Sequence, residues 1–544
     1  MYNEFSGKDA GLAPVKKLFL LAMLLVTASA FASEPRQKYI FNIMDYGAVG
    51  DGKTLCTAAI QSAIDSCAFS GGGEVYVPPG VFLTGSLILK NHVEFYLEKN
   101  SVILGSKQLS DYSAGVLIFA LDREDVSIEG GGKIDGQGRS FWEGKERLFS
   151  RPNGLVRFEN CRRVFVSDVE LTDSPKFNLY FDRCEDVHVD AIRIVNSLDS
   201  PNTDGIDIAN TSDVFISNSY IETGDDAICL KSNKTDYEVS GVVVTNCIII
   251  SDDTALKLGT GSQQRISDCL FSNIAVREAT NGIGLFMKDG GIFENIQFYG
   301  INMETLANPK KYFPADGGAA YWRRVLEKRS SYPIFVDTES RDGIAKPGLI
   351  RNVMFSDIII NNYDGNCLIS GDARRPLEDI SLINIRVNVL SKKSFSGRSK
   401  PRGTRTLTNK PSNDFSRVQS HFTFAYVKNL KLKNITVEDR AAERGIPFNL
   451  IWGKEVDHST FDCVTLVEDE VAGRVPEVVL NDCRDLLVTG CKGADTRSSF
   501  LYVEGKRTKD IKLIGNDFSS MKRPLIIDPQ VKDEVRAAWN LLRK

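Results

Sequence analysis

The chain of 544 residues carries 71 acidic and 67 basic side chains, a net charge of −4, and 42% hydrophobic residues, with both signs of charge interspersed. That balance speaks against nucleic acid or an anionic membrane as a partner. Eleven cysteines without the tight spacing of a zinc site, and four histidines with none in a motif, speak against a histidine- or cysteine-built metal centre.

At the N-terminus, Lys16 and Lys17 precede an apolar run from Leu18 to Val26, followed by Ala28, Ser29, Ala30 and Ala32. This order predicts a secretory signal peptide over residues 1–32, leaving residues 33–544 as one exported domain, periplasmic or secreted. Glu4, Lys8 and Asp9 sit upstream without an apolar pattern, so translation is expected to start near Val15. The run is too short to cross a bilayer, and no later run of about 18 apolar residues follows, so no integral membrane span is expected.

Gly47-Ala-Val-Gly-Asp-Gly-Lys-Thr54 satisfies the phosphate-loop string. It leads into Glu74–Phe82 and strand repeats rather than a βαβ unit, which excludes nucleotide binding. Between them, Ile60, Ala63, Ile64 and Cys67 recur at the spacing of a short amphipathic helix. That helix is expected to cap one end of a solenoid.

The solenoid is predicted from internal repetition. Val166-Ser-Asp-Val-Glu-Leu, Val189-Asp-Ala-Ile-Arg-Ile, Ile216-Ser-Asn-Ser-Tyr-Ile, Val244-Thr-Asn-Cys-Ile-Ile, Phe271-Ser-Asn-Ile-Ala-Val and Phe298-Tyr-Gly-Ile-Asn-Met begin 23, 27, 28, 27 and 27 residues apart. The pattern resumes at Phe355, Leu382 and Leu432. Each unit reads as a strand with one inward face, which a single unit cannot bury but stacked coils can. The fold expected is all-β, a parallel β-helix, with most cysteines buried as small apolar residues. The leucine-rich-repeat frame is missing. Two longer intervals, of 57 and 50 residues, hold insertions, and the second carries Lys392, Lys393, Arg398, Lys400, Arg402, Arg405 and Lys410. That basic stretch reads as a solvated loop, with contact to an anionic sugar chain as the alternative.

The chemistry is carried by Asn202-Thr203-Asp204-Gly205-Ile206-Asp207 and, 21 residues after Asp204, by Gly224-Asp225-Asp226-Ala227. One coil of separation can set these carboxylates side by side, where repulsion raises the proton affinity of at least one. Glycoside hydrolysis needs such a set: a protonated acid for the leaving oxygen and ionised groups to activate water. Asp252-Asp253, by contrast, reads as turn capping.

At these residues the chain resembles the polygalacturonase-like family of glycoside hydrolases, which includes rhamnogalacturonan hydrolases. The resemblance extends to Asp45–Thr54, Ala58–Asp65 and Gly132-Lys-Ile-Asp-Gly-Gln-Gly138 with Trp142. It implies a right-handed β-helix and inverting hydrolysis of a pectic polysaccharide or oligosaccharide, with no metal or cofactor. It further implies Asp225 as general acid, Asp204 and Asp226 as water-activating bases, and Asp207 as a substrate-binding carboxylate, with Asn202 beside it; a monomer is expected. Two departures stand out. Thr254 replaces the histidine of a Gly-His-Gly motif and is expected to contact substrate there, and Gly282-Ile-Gly-Leu-Phe-Met-Lys288 replaces Arg-Ile-Lys. One alignment places Gly284 and Phe286 at the basic positions, another Phe286 and Lys288; Lys288 is then a candidate carboxylate ligand. Either way the arginine suited to a sugar carboxylate is lost. A polysaccharide lyase and a noncatalytic glycan-binding solenoid are the alternatives.

Overall fold

The computed structural model describes residues 39–142, 150–305, 331–338, 346–362, 366–390, 418–440, 447–468, 475–494 and 497–542, with residues 328, 329, 340, 341, 404, 405 and 415 between them. The expected signal peptide lies outside the described residues, as does the basic stretch from Lys392 to Lys410 apart from residues 404 and 405.

Among the described residues, thirty-seven strands join in one sheet wound on itself. Phe177–Asp182, Glu185–Asp190 and Arg193–Val195 form one coil; Ile206–Ala209, Ser212–Ser217 and Tyr220–Thr223 form the next. They pair in parallel through Leu179 with Ile206, Val187 with Val214 and Ile194 with Ile221. The winding is right-handed, the hand that strand-to-parallel-strand connections almost always take. The column predicted from the repeats is the observed register: Val166, Val189, Ile216, Val244, Phe271 and Phe298 pair in succession. It continues across both long intervals, Phe298 pairing with Phe355 and Leu382 with Leu432.

The six-residue unit, however, is a corner rather than one strand. Its inward residues are the first, fourth and sixth, as in Phe271, Ile274 and Val276, all buried. Strict alternation would bury the first, third and fifth. The third residue breaks the phase: Asp168, Asn218, Asn246, Asn273, Gly300, Asp357, Asn384 and Asn434 adopt φ between 52° and 63°. Asn, Asp and Gly tolerate this left-handed conformation, so they mark the bend. Their side chains then bond along the axis, Asn384 donating to Asp357 and Asn434 to Asn384, each at 2.9 Å.

Inside, apolar side chains stack coil upon coil, with ring centres 4.9 Å apart for Phe271–Phe298 and 5.2 Å for Phe298–Phe355. The helix Thr57–Phe69 closes one end by burying Ile60, Ala63, Ile64 and Cys67. In the phosphate-loop string, Asp51 takes the backbone N–H groups of Lys53 and Thr54, and Asp51–Leu55 is a strand paired with Gly80–Thr84. Ten cysteines are buried, Cys463 is exposed, and none forms a disulfide. No helix among the described residues is long and apolar enough to cross a membrane.

Candidate active site

Where each coil turns back to its first strand, successive backbones bond in a column. Asn178 N donates to Asp204 O, Gly205 N to Asp226 O and Ala227 N to Thr254 O, each at 2.9 Å. Ile206 pairs with Ile228, and Ile228 with Leu256. Asp204, Asp226 and Thr254 therefore take equivalent places on three coils, with backbones about 4.8 Å apart. The motif glycines permit this approach. A Cβ on Gly224 would lie 2.2 Å from Ser200 O, and one on Gly205 would lie 2.5 Å from Ala227 O.

Two lysines reach back one coil to neutralise these carboxylates. Lys231 Nζ lies 3.1 Å from Asp204 Oδ2 and also bonds Asp207 Oδ1. Lys257 Nζ lies 2.5 Å from Asp226 Oδ2. Asp204, Asp207 and Asp226 are buried, and burial is the main reason their proton affinity rises. It pushes Asp204 and Asp226 to about 7 against the opposing pull of the lysines. Lys231 and Lys257 are largely shielded from water too, with side chains 16% exposed, yet the facing carboxylates keep them charged.

Asp225 is the most exposed of the three expected catalytic aspartates. Asn202 donates to its Oδ2 at 3.4 Å and accepts at 2.7 Å from Arg151, whose guanidinium also bonds the carbonyls of Pro175 and Pro201. Burial lowers Arg151 to about 10, with Asp225 and Asp204 pulling the other way. Sequence reasoning missed Arg151, which stands 51 residues before Asn202 in no motif.

Four further expectations change with the coordinates. Asp207 is fully buried and bonded to Lys231, so it braces the ammonium. Thr254 is likewise buried, donating at 3.1 Å to Asp253 Oδ1 and accepting from Asn281 at 3.3 Å. Lys288 is buried, its ammonium 2.7 Å from Asp337. Asp253 is more than a turn cap: its carboxylate oxygen, with those of Asp225 and Asp226, forms a group within 4.8 Å. Such a group could share a cation, and the Lys257 ammonium is one already placed there.

The register also places the second departure. Lys257 pairs with Gly284, and Gly284 with Phe335. A Cβ on Gly284 would meet the Phe286 ring at 2.3 Å, so that ring fills the space beside Gly284. Lys257 Nζ lies 5.2 Å from the ring centre. Phe286 packs with Tyr332, Phe335 and Leu368 in an apolar cluster outside the main core.

Residues 67–311 match the model of Glycosyl hydrolases family 28. A probable polygalacturonase of Vitis vinifera is 27% identical over 385 residues, 64% of this chain and 74% of its own. An exopolygalacturonase of Zea mays is 33% identical over 295 residues, covering 50% of this chain and 70% of its own. Among solved structures, the family 28 exopolygalacturonase of Yersinia enterocolitica is 18% identical, with a TM-score of 0.57 over 81% of this chain and 79% of that one. At that identity the likeness is one of fold.

Proposed function

Because the chain belongs to glycosyl hydrolase family 28 and is thus a glycoside hydrolase, we propose that it is exported and cleaves a pectic polysaccharide or oligosaccharide by inverting hydrolysis. The observation that carries this is the column of Asp204, Asp225 and Asp226 on adjoining coils, each in a different charge environment. Asp225, the most exposed, gives its proton to the glycosidic oxygen as the bond to the anomeric carbon breaks. A water attacks that carbon from the opposite face, and its proton passes to Asp204 or Asp226. Lys257 holds Asp226 Oδ2, while its buried Oδ1 has no hydrogen-bond partner among the described residues. A base titrating near 7 suits a neutral medium. The carboxyls perturb one another, so their protons belong to the set and not to single residues.

The test is reducing-sugar release from homogalacturonan, rhamnogalacturonan and their oligomers by the wild type and Asp225→Asn. Release by the wild type should fall in the variant by roughly 100-fold or more, with the circular-dichroism spectrum unchanged. Ultraviolet-absorbing unsaturated products would point to a lyase instead, and binding without release to a glycan-binding solenoid.

A further inference from the structure

Arg151 ties three successive coils together where each enters its first strand. It stands ahead of Gly154–Glu159, and its Nη1 donates to the carbonyls of Pro175, ahead of Phe177–Asp182, and Pro201, ahead of Ile206–Ala209, at 2.9 and 2.8 Å. Its Nη2 donates to Asn202 Oδ1 at 2.7 Å. One planar fork thus grips Asn202 twice, through the carbonyl before it and through its own side-chain oxygen. The backbone it grips is left-handed, with φ 54° at Asn202.

The grip has a chemical consequence. A guanidinium offers donors and no acceptor, so the Asn202 atom facing it is the oxygen, and the amide nitrogen then faces Asp225 Oδ2 at 3.4 Å. Asp225 Oδ1 accepts from the N–H of Asp226 at 3.1 Å. When the Asp225 proton passes to a glycosidic oxygen, the negative charge left behind therefore meets a donor on each carboxylate oxygen. Were the Asn202 amide turned over, its oxygen would face that charge instead, and its nitrogen would face the guanidinium, donor against donor. Arg151 excludes that arrangement.

We infer that Arg151 is a positioning residue for the general acid: it fixes which way the Asn202 amide faces and so favours proton delivery by Asp225. This role rests on the glycoside hydrolase reading above, with Asp225 as its acid. A purely architectural role would slow every substrate alike, whereas a role through Asn202 slows only the cleavage that needs the proton.

Two substrates whose leaving groups differ in that need provide the test. One is whichever galacturonate or rhamnogalacturonate oligomer the wild type cleaves; the other is the dinitrophenyl glycoside of the same oligomer, from which dinitrophenolate departs unprotonated. Asp225→Asn is the reference, expected to lose roughly 100-fold or more on the oligomer and less than about fivefold on the aryl glycoside. Arg151→Met should show the same split on a smaller scale, about tenfold against about twofold, in kcat more than in KM. Asn202→Ala should reproduce it, and the Arg151→Met/Asn202→Ala protein should lose no more than either single variant, because the two residues act in series. Should Arg151→Met fail to fold, Arg151→Lys keeps the charge without the fork and should show the split. Equal losses on the two substrates, or additive losses in the double variant, overturn the role and leave the hydrolase reading intact. A wild type that cleaves no oligomer overturns the hydrolase reading, and an Asp225→Asn protein that loses both substrates alike overturns its acid; either result takes the role of Arg151 with it.

Discussion

Lys231 and Lys257 are the same device on successive coils, each reaching back one coil to a buried aspartate with its side chain 16% exposed. They differ in what they balance. Lys231 stands between two carboxylates, Asp204 and Asp207. Lys257 faces Asp226 and lies against the Phe286 ring. The repeat supplies the geometry, and the number of buried carboxylates each ammonium bonds decides the energetics.

The largest effect expected is from Lys231→Met, which strands two buried carboxylates and should cost about 3–5 kcal/mol in urea unfolding. Lys257→Met should cost less, about 1–3 kcal/mol, because its ammonium bonds one buried carboxylate, Asp226, which can take up a proton. Equal losses would break the comparison.

Next in size is the pH dependence. Burial raises Asp204 and Asp226 from the ordinary carboxyl range to about 7. Between roughly pH 4 and 7 the folded chain therefore holds protons that the unfolded chain has released, and this contribution to stability falls as pH rises. In thermal melts, the Asp204→Asn/Asp226→Asn variant should gain stability relative to the wild type from about pH 5 to about pH 7. A variant that loses ground over that window would mean that the lysines, not burial, dominate the two carboxyls.

The smallest effect sets the scale for a polar contact remote from both centres. Asn434→Ala removes the 2.9 Å bond to Asn384 and a residue suited to φ 55°, and should cost about 1 kcal/mol in the same urea assay.

Much of the architecture was legible before the coordinates. The column from Val166 to Leu432 could be aligned by eye because every coil must present an apolar residue at the same place to bury it. The capping helix was visible for the same reason, in Ile60, Ala63, Ile64 and Cys67. The corner was written there too, in Asn, Asp or Gly at the third position of every unit but the one with Ala191, but reading the unit as a strand hid the change of phase. At the site, Asp204, Asp225 and Asp226 were found because two short motifs lie one coil apart.

What the sequence by itself determined is thus the solenoid, its register and the meeting of the two aspartate motifs, since these follow from a period and from burial of one inward face. The tertiary structure alone decided which charges are solvated and which are neutralised. Lys288 looked free for a sugar carboxylate until Asp337, 49 residues away, was found against it, and Asp253 looked like a cap until the winding carried it to Asp225 and Asp226. Arg151 likewise reaches Asn202 only through the winding. Away from the asparagine corners, outward side chains carry no periodic signal of their partners, because each meets the neighbouring coil at a distance in sequence set by loops that obey no period.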